Sequence, residues 1–168
     1  MVVAFIGLGS NIGNRRKNIA AAITRLKTSR VVRVLKLSSL RVTEPVGPNQ
    51  RDFVNGVAKI KTDLSAEKLL KVLKEIERLM GRRTVRRWGP RGIDLDVLLF
   101  GNRIIRTKSL QVPHRQLHRR LFVLDPLAEI SPGTVHPVLK KTVFKLRNSY
   151  IAAEGRREKV NGRWIKRT

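Results

Sequence analysis

The chain has 168 residues, of which 41% are hydrophobic, and it contains no cysteine. This length suits one domain with a substantial core, and no run of eighteen apolar residues is present to form a transmembrane helix. The lack of cysteine excludes disulfides, thiolate zinc sites and cysteine nucleophiles. Because the N-terminus has no basic region and no small-residue cleavage site, we expect a cytoplasmic protein without a signal peptide.

Charge is the most unusual property of the composition. Lysine and arginine number 37 against 12 aspartate and glutamate, a net charge of +25. The excess is distributed along the chain, with +10 in residues 1–61, +7 in 82–139 and +8 in 140–168. It favours an anionic partner, with nucleic acid first, then an anionic membrane surface or a phosphorylated small molecule. Aromatic residues make up 5%, too few for a base-stacking surface but enough to hold one planar ligand.

The first half of the chain alternates between strand and helix patterns. An apolar run predicts a strand over residues 2–8, and helical spacing after Asn14, a suitable N-cap, predicts a helix over 15–27. Alternating apolar residues predict strands over 31–40 and 53–60. The segment 43–50 between them contains two prolines and a glycine and is therefore expected to be a loop.

The second half continues this pattern. A helix is predicted from the N-cap Ser65 to the stop at Gly81, then a strand over 93–100 and a third helix around 119–129, with Pro126 near its end or at a kink. The order β-α-β-β-α-β predicts an α+β, ferredoxin-like antiparallel sheet with helices on one face, as a single domain. We assign residues 1–139 to this domain and 140–168 to a basic C-terminal appendage, in which Asn161-Gly162 is typical of a hairpin turn.

Two aspartates share one face of the predicted strand over 93–100. Period-two alternation places Asp94 and Asp96 about 7 Å apart on one face and Leu95 on the other. Aspartate is disfavoured in strands, and like charges on one face repel unless solvent, arginine or a metal ion offsets them. The pair is therefore either part of an ion-pair network with arginines or a site for Mg²⁺, which binds one or two carboxylates together with water and substrate phosphates.

A basic segment leads into this strand. It carries five arginines within ten positions, Arg82, Arg83, Arg86, Arg87 and Arg91. Because guanidinium groups bind phosphate in a bidentate manner, such a segment beside a metal-binding pair is typical of a triphosphate site. Without the aspartates, a solvated basic loop would be an equally good interpretation. No G-x-x-x-x-G-K-[ST] sequence occurs, so a Walker-type P-loop is excluded, and Gly7-Leu8-Gly9-Ser10 is too weak a pattern to indicate a phosphate cradle.

Residues 87–98 resemble the signature of the hydroxymethyl-dihydropterin pyrophosphokinase family. The resemblance rests on Arg87-Trp88-Gly89-Pro90-Arg91 followed by Asp94-x-Asp96, and it extends over residues 2–135 through further segments in the family's order. These are Gly9-Ser10-Asn11, Thr43-x-Pro45-x-Gly47-Pro48, Asp52-Phe53-Val54-Asn55, Gly81-Arg82, Val112-Pro113-His114 and Arg120-x-Phe122. It implies a similar α+β fold and transfer of diphosphate from ATP to a pterin alcohol. Two Mg²⁺ ions held by Asp94 and Asp96 are the implied cofactor.

The resemblance also implies the substrate contacts on the pterin side. Asn55 reads the polar edge of the ring and two phenylalanines stack on its faces, although core packing is an equally good interpretation of those rings from the residues alone. Position 53 is phenylalanine where many relatives carry tyrosine, which keeps the stack and loses a hydroxyl. The implied pterin-binding residues are Thr43, Pro45, Val46, Phe53, Asn55 and Phe122.

On the nucleotide side, the resemblance implies contacts with the phosphates, ribose or adenine. The implied ATP-binding residues are Arg82, Arg83, Arg86, Trp88, Arg91, His114 and Arg120, of which Arg82 and Arg91 are implied to be catalytic. The basic segment is slightly shorter than in some relatives, so the second phosphate arginine is either Arg83 or Arg86. Taken alone, His114 is more typical of a structural histidine than of a ligand.

Two classes of function are weighed against each other. A nucleic-acid-binding module on a ferredoxin-like sheet is supported by the charge, but no RNP-type aromatic motif is present and acidic residues occupy a strand where phosphates would lie. The pyrophosphokinase is therefore favoured. Its expected partners are ATP and 6-hydroxymethyl-7,8-dihydropterin. We expect no membrane association, only weak non-specific polyanion binding, and a monomer.

Overall fold

The computed structural model describes residues 1–45, 51–81 and 91–154 in full and residues 157–160 and 163–166 by their backbone. A central antiparallel sheet is covered by helices. In chain order the elements are β1 Val2–Ser10, α1 Arg15–Thr28, β2 Val32–Leu37, β3 Arg41–Thr43, β4 Phe53–Thr62, α2 Ala66–Leu79, β5 Asp94–Phe100, β6 Ile105–Arg106, β7 Gln111–Val112, a 3-10 turn Leu117–Arg119, α3 Leu121–Ile130, α4 Val143–Glu154, β8 Arg157–Val160 and β9 Arg163–Lys166. No helix in these ranges has the length and apolarity needed to cross a bilayer.

The sheet has the strand order β2-β4-β1-β5, with β3 also pairing with β4. Every pairing is antiparallel, and β1 is hydrogen-bonded to β4 on one edge and to β5 on the other. The predicted ferredoxin-like α+β fold is thereby confirmed. Two further strands, β8 and β9, pair antiparallel in the segment where the sequence predicts a hairpin.

The strand predicted over 31–40 ends at Leu37 in the structure, and Ser38 explains the break before β3, which lies beyond the predicted range. Its backbone N–H donates to the carbonyl of Val57 at 3.0 Å, and its hydroxyl accepts the Val57 N–H at 2.9 Å. Because a side-chain oxygen replaces the backbone carbonyl in this pair, the regular ladder of β2 stops and β3 resumes pairing with β4 at Arg41.

Helices α1 and α2 begin at the predicted capping residues, and α2 ends before the predicted stop. The side chain of Asn14 accepts the N–H of Lys17 at the start of α1, and Ser65 does the same for Lys68 at the start of α2. Gly81 follows α2 with φ of 84°, a left-handed conformation that glycine adopts without strain. Pro126 lies inside α3 rather than at its end, and it is buried there.

Helices cover both faces of the sheet, whereas the sequence predicted them on one. The first core, where α1 and α2 pack on the sheet, contains Ile6, Leu26, Ile60, Leu73 and Leu95, all fully buried. The second core lies on the opposite face and joins Phe5, Val57, Leu98 and Leu99 of the sheet to α3 and α4. Because these strands are apolar on both faces, the second face also requires cover.

Helix α4 belongs to the segment predicted as a C-terminal appendage. Its Val143 and Leu146 are buried in the second core, against residues of α3. Arg147 of α4 also forms an ion pair with Asp125 of α3. The domain boundary at residue 139 stays a prediction.

A carboxylate on α3 joins this helix to the sheet. One oxygen of Glu129 accepts both the backbone N–H and the hydroxyl of Ser39 at 2.8 Å, and the other lies 3.4 Å from Arg41 Nη2. The backbone N–H of Ser39 is the largest cause that holds the pKa of Glu129 below its usual value, with the Ser39 hydroxyl and Arg41 acting in the same direction. The linker between β2 and β3 is thereby fixed to α3.

The variant Glu129→Gln tests this connection. The native carboxylate has a lowered pKa, so its contribution to stability is present above the unfolded-state pKa of about 4.3 and is lost as pH falls through the folded-state pKa. We expect the variant to lose about 1 kcal/mol at pH 7, seen as a decrease of about 2–4 °C in Tm, with the difference shrinking at pH 3. Thermal denaturation of both proteins at the two pH values measures this. An equal loss at both would show that the carboxylate charge is not the cause.

Candidate active site

Because Gly9 has no side chain, it leaves an uncovered space on the surface of the sheet. It pairs with Asn55 of β4 on one side and Asp94 of β5 on the other. A Cβ atom added at Gly9 would lie 3.1 Å from Asn55 Oδ1 and 3.9 Å from both Asp94 Cβ and Phe53 Cδ1. A side chain here would therefore fill the space between an amide and a carboxylate. The sequence interpretation undervalued this glycine, whose signal was its position inside a strand, where close approach of a neighbour is a common reason.

The two aspartates of β5 lie on the same sheet face, as predicted. Leu95 and Val97 are buried in the first core, which leaves Asp94 and Asp96 on the opposite face and partly exposed. Arg91 Nη1 lies 2.7 Å from Asp94 Oδ2, so an arginine does pair with one of them. Lys74 Nζ lies 3.9 Å from Asp96 Oδ1. Both carboxylates thus have a cationic neighbour within the chain.

His114 and Arg120 approach these aspartates from the segment after β5. The backbone N–H of His114 donates to the carbonyl of Leu98 at 2.9 Å, which places the residue at the outer edge of β5. Burial lowers the pKa of His114 and the charge of Arg120 lowers it further, while the charges of Asp96 and Asp94 oppose this. Its Nδ1 accepts the N–H of Gln116, so the neutral ring carries its proton on Nε2.

Arg120 connects the charged cluster to an aromatic ring. Burial lowers the pKa of this guanidinium, and the charges of Asp96 and Asp94 oppose that shift. Its Cζ lies 5.6 Å from the centre of the Phe122 ring, a cation–π distance. Phe122 is partly buried against the second core, so the core-packing interpretation holds for part of this side chain.

The position of Arg91 is fixed by the end of β1. The N–H of Asn11 donates to the Arg91 carbonyl at 3.0 Å, and Asn11 Oδ1 accepts the Arg91 N–H at 2.6 Å. The next carbonyl, that of Gly92, accepts from the Ser10 hydroxyl and from Asn18 Nδ2. An open cavity of about 410 Å³ adjoins this junction and is lined by Asn11, Gly13, Arg15, Arg51 and Asp52. The sequence interpretation quoted Ser10 and Asn11 only as part of a motif and gave them no role.

The residues predicted to bind the pterin gather on β3 and β4. Asn55 is 8% exposed, and its Nδ2 donates to Thr43 Oγ1 at 2.6 Å. Phe53 pairs with Thr43 across the two strands and is partly buried. Pro45, also partly buried, follows β3 by two residues. Thr43, Phe53 and Asn55 therefore form one cluster beside Gly9.

Part of the predicted site cannot be placed. Val46, Arg82, Arg83, Arg86 and Trp88 lie outside the residues that the structure describes. The described site therefore consists of Asp94, Asp96, Arg91, His114 and Arg120 on one side and Thr43, Phe53, Asn55 and Phe122 on the other.

The donor set fits one kind of metal ion. Within the ranges described, no group of three or more His, Asp or Glu side chains is placed to hold a metal. Two carboxylates on one strand face match Mg²⁺, which shares its coordination with waters and substrate phosphates instead of requiring a protein cage. The arginines and the histidine beside the aspartates suit a phosphate-bearing ligand.

Comparisons with known proteins identify the family of the chain. Residues 5–132 match the model of the 7,8-dihydro-6-hydroxymethylpterin-pyrophosphokinase (HPPK) family. The chain is 44% identical over 138 residues to the 2-amino-4-hydroxy-6-hydroxymethyldihydropteridine pyrophosphokinase of Haemophilus influenzae, covering 82% of this chain and 86% of that protein. It is 40% identical over 152 residues to the protein of the same name from Aquifex aeolicus, covering 89% and 94%.

A solved structure extends the likeness to the fold. Plasmodium falciparum HPPK-DHPS with pteroate superposes with a TM-score of 0.75 at 17% identity, over 96% of this chain. This chain spans 44% of that longer chain, so the likeness concerns the fold of one part of it. The family model and the two relatives show that the chain belongs to the HPPK family.

Proposed function

We propose that this protein transfers a diphosphate group from ATP to the hydroxymethyl group of 6-hydroxymethyl-7,8-dihydropterin. The hydroxyl oxygen forms a bond to the β-phosphorus, the bond between that phosphorus and the oxygen bridging to the α-phosphate breaks, AMP leaves and the hydroxyl proton passes to solvent. The observation that carries the proposal is the convergence of a carboxylate pair, two arginines and a histidine beside Asn55, in a chain 44% identical to a named pyrophosphokinase.

Asp94 and Asp96 are the residues that would hold Mg²⁺, and we propose two ions with ATP as co-substrate. A bound Mg²⁺ would offset the negative charge that develops on the phosphates during transfer. The chain's own contribution is positioning: β5 presents both carboxylates on one face, and Arg91 lies beside Asp94.

The phosphate side of the site is assigned to cationic residues. Arg120 lies in the field of both aspartates and Arg91 pairs with Asp94, which suits both arginines to bind the phosphates that accompany the metal. His114, neutral and donating through Nε2, is suited to a hydrogen bond with nucleotide oxygen or nitrogen. We propose further ATP contacts from residues outside the described ranges, with Arg82 catalytic together with Arg91. These are Arg82, Arg83, Arg86 and Trp88.

The pterin side is assigned to the cluster around Asn55. Its amide offers both a donor and an acceptor, as recognition of a pterin edge requires, and Thr43 fixes its orientation through the 2.6 Å hydrogen bond. Phe53 and Phe122 supply rings for the faces of the heterocycle. Pro45 and Val46 complete the proposed pocket.

The cationic residues outside the proposed site support a second property, the binding of polyanions. Across β2 and β4, Arg33 lies opposite Lys61 and Lys36 lies opposite Lys59. Within the described ranges, no acidic side chain lies within 4 Å of these four cations. We therefore propose weak, salt-sensitive, non-specific polyanion binding. Titration with single-stranded RNA at two salt concentrations would measure this binding. We also propose that the protein is a cytoplasmic monomer.

The direct test of the proposed function is formation of AMP. Purified protein incubated with ATP, Mg²⁺ and 6-hydroxymethyl-7,8-dihydropterin is expected to release AMP in proportion to the pterin consumed, and to release none without the pterin. Tight RNA binding without AMP formation would favour the nucleic-acid-binding alternative. No AMP under these conditions would contradict the assignment.

The variant Asp96→Asn tests the metal assignment. Asparagine keeps the size of the side chain and removes its negative charge, so we expect kcat to fall by about a hundredfold to a thousandfold with the fold intact. AMP formation over a range of Mg²⁺ concentrations, with circular dichroism to check the fold, measures this. The matched control is Asp63→Asn, which changes an exposed carboxylate paired with the N-terminal amine. Normal turnover by Asp96→Asn would remove the metal assignment.

The variant Gly9→Ala tests whether the uncovered space beside Asn55 is needed for pterin binding. The added methyl group would lie 3.1 Å from Asn55 Oδ1, so the amide must move by a few tenths of an ångström. We expect KM for the pterin to rise about tenfold, equivalent to about 1.4 kcal/mol, and KM for ATP to stay nearly unchanged. The control is Gly133→Ala, where an added Cβ meets nothing within 4 Å. Equal increases in both KM values would contradict a local effect on Asn55.

A further inference from the structure

The strand that carries the two aspartates is an edge strand. It pairs with β1 on one side, and within the described ranges its other edge has no partner strand in the sheet. At Leu95, the polar groups on this open edge are bonded to side chains of α2. The N–H of Leu95 donates to Glu77 Oε1 at 2.7 Å, and Lys74 Nζ donates to the Leu95 carbonyl at 3.2 Å.

These two side chains are also joined to each other. Lys74 Nζ lies 2.9 Å from the same Oε1 of Glu77. We call the arrangement of Glu77 and Lys74 around the backbone of Leu95 the edge clamp. It closes a small ring of hydrogen bonds in which the carboxylate accepts the N–H of Leu95 and the ammonium donates to the Leu95 carbonyl.

Burial makes the carboxylate unusual. Glu77 is 2% exposed, although it lies on a helix whose inward face is otherwise apolar, with Leu69, Leu73 and Ile76 buried beside it. A buried carboxylate is costly unless hydrogen bonds and an opposite charge compensate for its lost hydration. An apolar residue could fill the same space, so core packing by itself does not account for an acid at this position.

The residue held by the clamp lies between the two aspartates. Fixing the N–H and the carbonyl of Leu95 fixes the two peptide planes that flank it, and the side chains of Asp94 and Asp96 project from the adjoining Cα atoms. Lys74 Nζ also lies 3.9 Å from Asp96 Oδ1, which places the clamp directly beside the second carboxylate.

We propose that Glu77 is a positioning residue for the metal-binding aspartates, acting through the backbone of Leu95. Lys74 completes the clamp, and neither side chain is required to touch the substrate. The inference rests on the proposed function, because it assumes that Asp94 and Asp96 bind Mg²⁺. Substitution of residues that orient the metal ligands without binding the metal commonly changes metal affinity by about 10- to 100-fold.

Two substitutions separate the reach of the side chain from its charge. Glu77→Asp keeps the charge but shortens the side chain by one methylene, so it cannot accept the Leu95 N–H at the native distance. Glu77→Gln keeps the reach and the accepting oxygen but loses the charge. The matched control is Glu75→Asp, on the same helix, where the exposed carboxylate pairs with Arg78.

The readouts are metal binding and amide exchange. Electron paramagnetic resonance follows binding of the Mn²⁺ complex of a non-hydrolysable ATP analogue, with the metal-free analogue measured in parallel, and NMR follows hydrogen exchange of the Leu95 amide. For Glu77→Asp we expect about a tenfold loss of affinity for the Mn²⁺ complex only, with faster exchange at Leu95. Glu77→Gln and Glu75→Asp are expected to stay within about threefold of the native protein.

Each outcome decides the inference. Two results would overturn the proposal that the length of the Glu77 side chain positions the aspartates. They are native Mn²⁺ affinity in folded Glu77→Asp and a tenfold loss of that affinity in Glu77→Gln. If Glu77→Asp does not fold, Glu77→Gln decides alone, since near-native affinity with a protected Leu95 amide supports the clamp and a tenfold loss overturns it. If Asp96→Asn itself leaves Mn²⁺ binding unchanged, the metal assignment on which the inference rests fails instead, so the two failures are distinguishable.

Discussion

The alternation of β1 is the constraint on which the rest of the structure depends. This strand is hydrogen-bonded along both edges, to β4 over nine residues and to β5. Ile6 and Leu8 enter the first core, while Phe5 enters the second and Gly9 opens onto the site. Because side chains alternate with a period of two, a shift of one residue would exchange the faces and bring a large side chain between Asn55 and Asp94.

The sequence predicted the fold wherever local patterns decide it. The caps Asn14 and Ser65, the stop at Gly81 and the strand over 53–60 follow from neighbouring residues, and the structure confirms them. The cover on the second face could not be predicted in this way. Strands that are apolar on both faces require two layers of cover, but periodicity does not identify the segments that supply it, and α4 buries only Val143 and Leu146.

In the site, too, local sequence patterns predict some features, while others depend on contacts between distant residues. The sequence predicted one shared face for Asp94 and Asp96, because this follows from strand geometry alone. The contacts of Arg91 with Asn11 and of His114 with Leu98 join residues far apart in the sequence, and no local pattern announces them. Glu77 is typical of a solvated helix residue until the open edge of β5 is placed beside it.

The hydrogen bonds of Glu129 have a consequence for the affinity of a ligand that binds between the two proposed stacking rings. This residue lies on the same helix as Phe122, and Ser39 lies in the linker that leads into β3 and Thr43. The carboxylate therefore joins the helix that bears one proposed stacking ring to the strands that bear the other. A planar molecule binding there would find both supporting elements already ordered. Little conformational entropy then remains to be lost in ordering them, and this preorganisation favours affinity without any added contact.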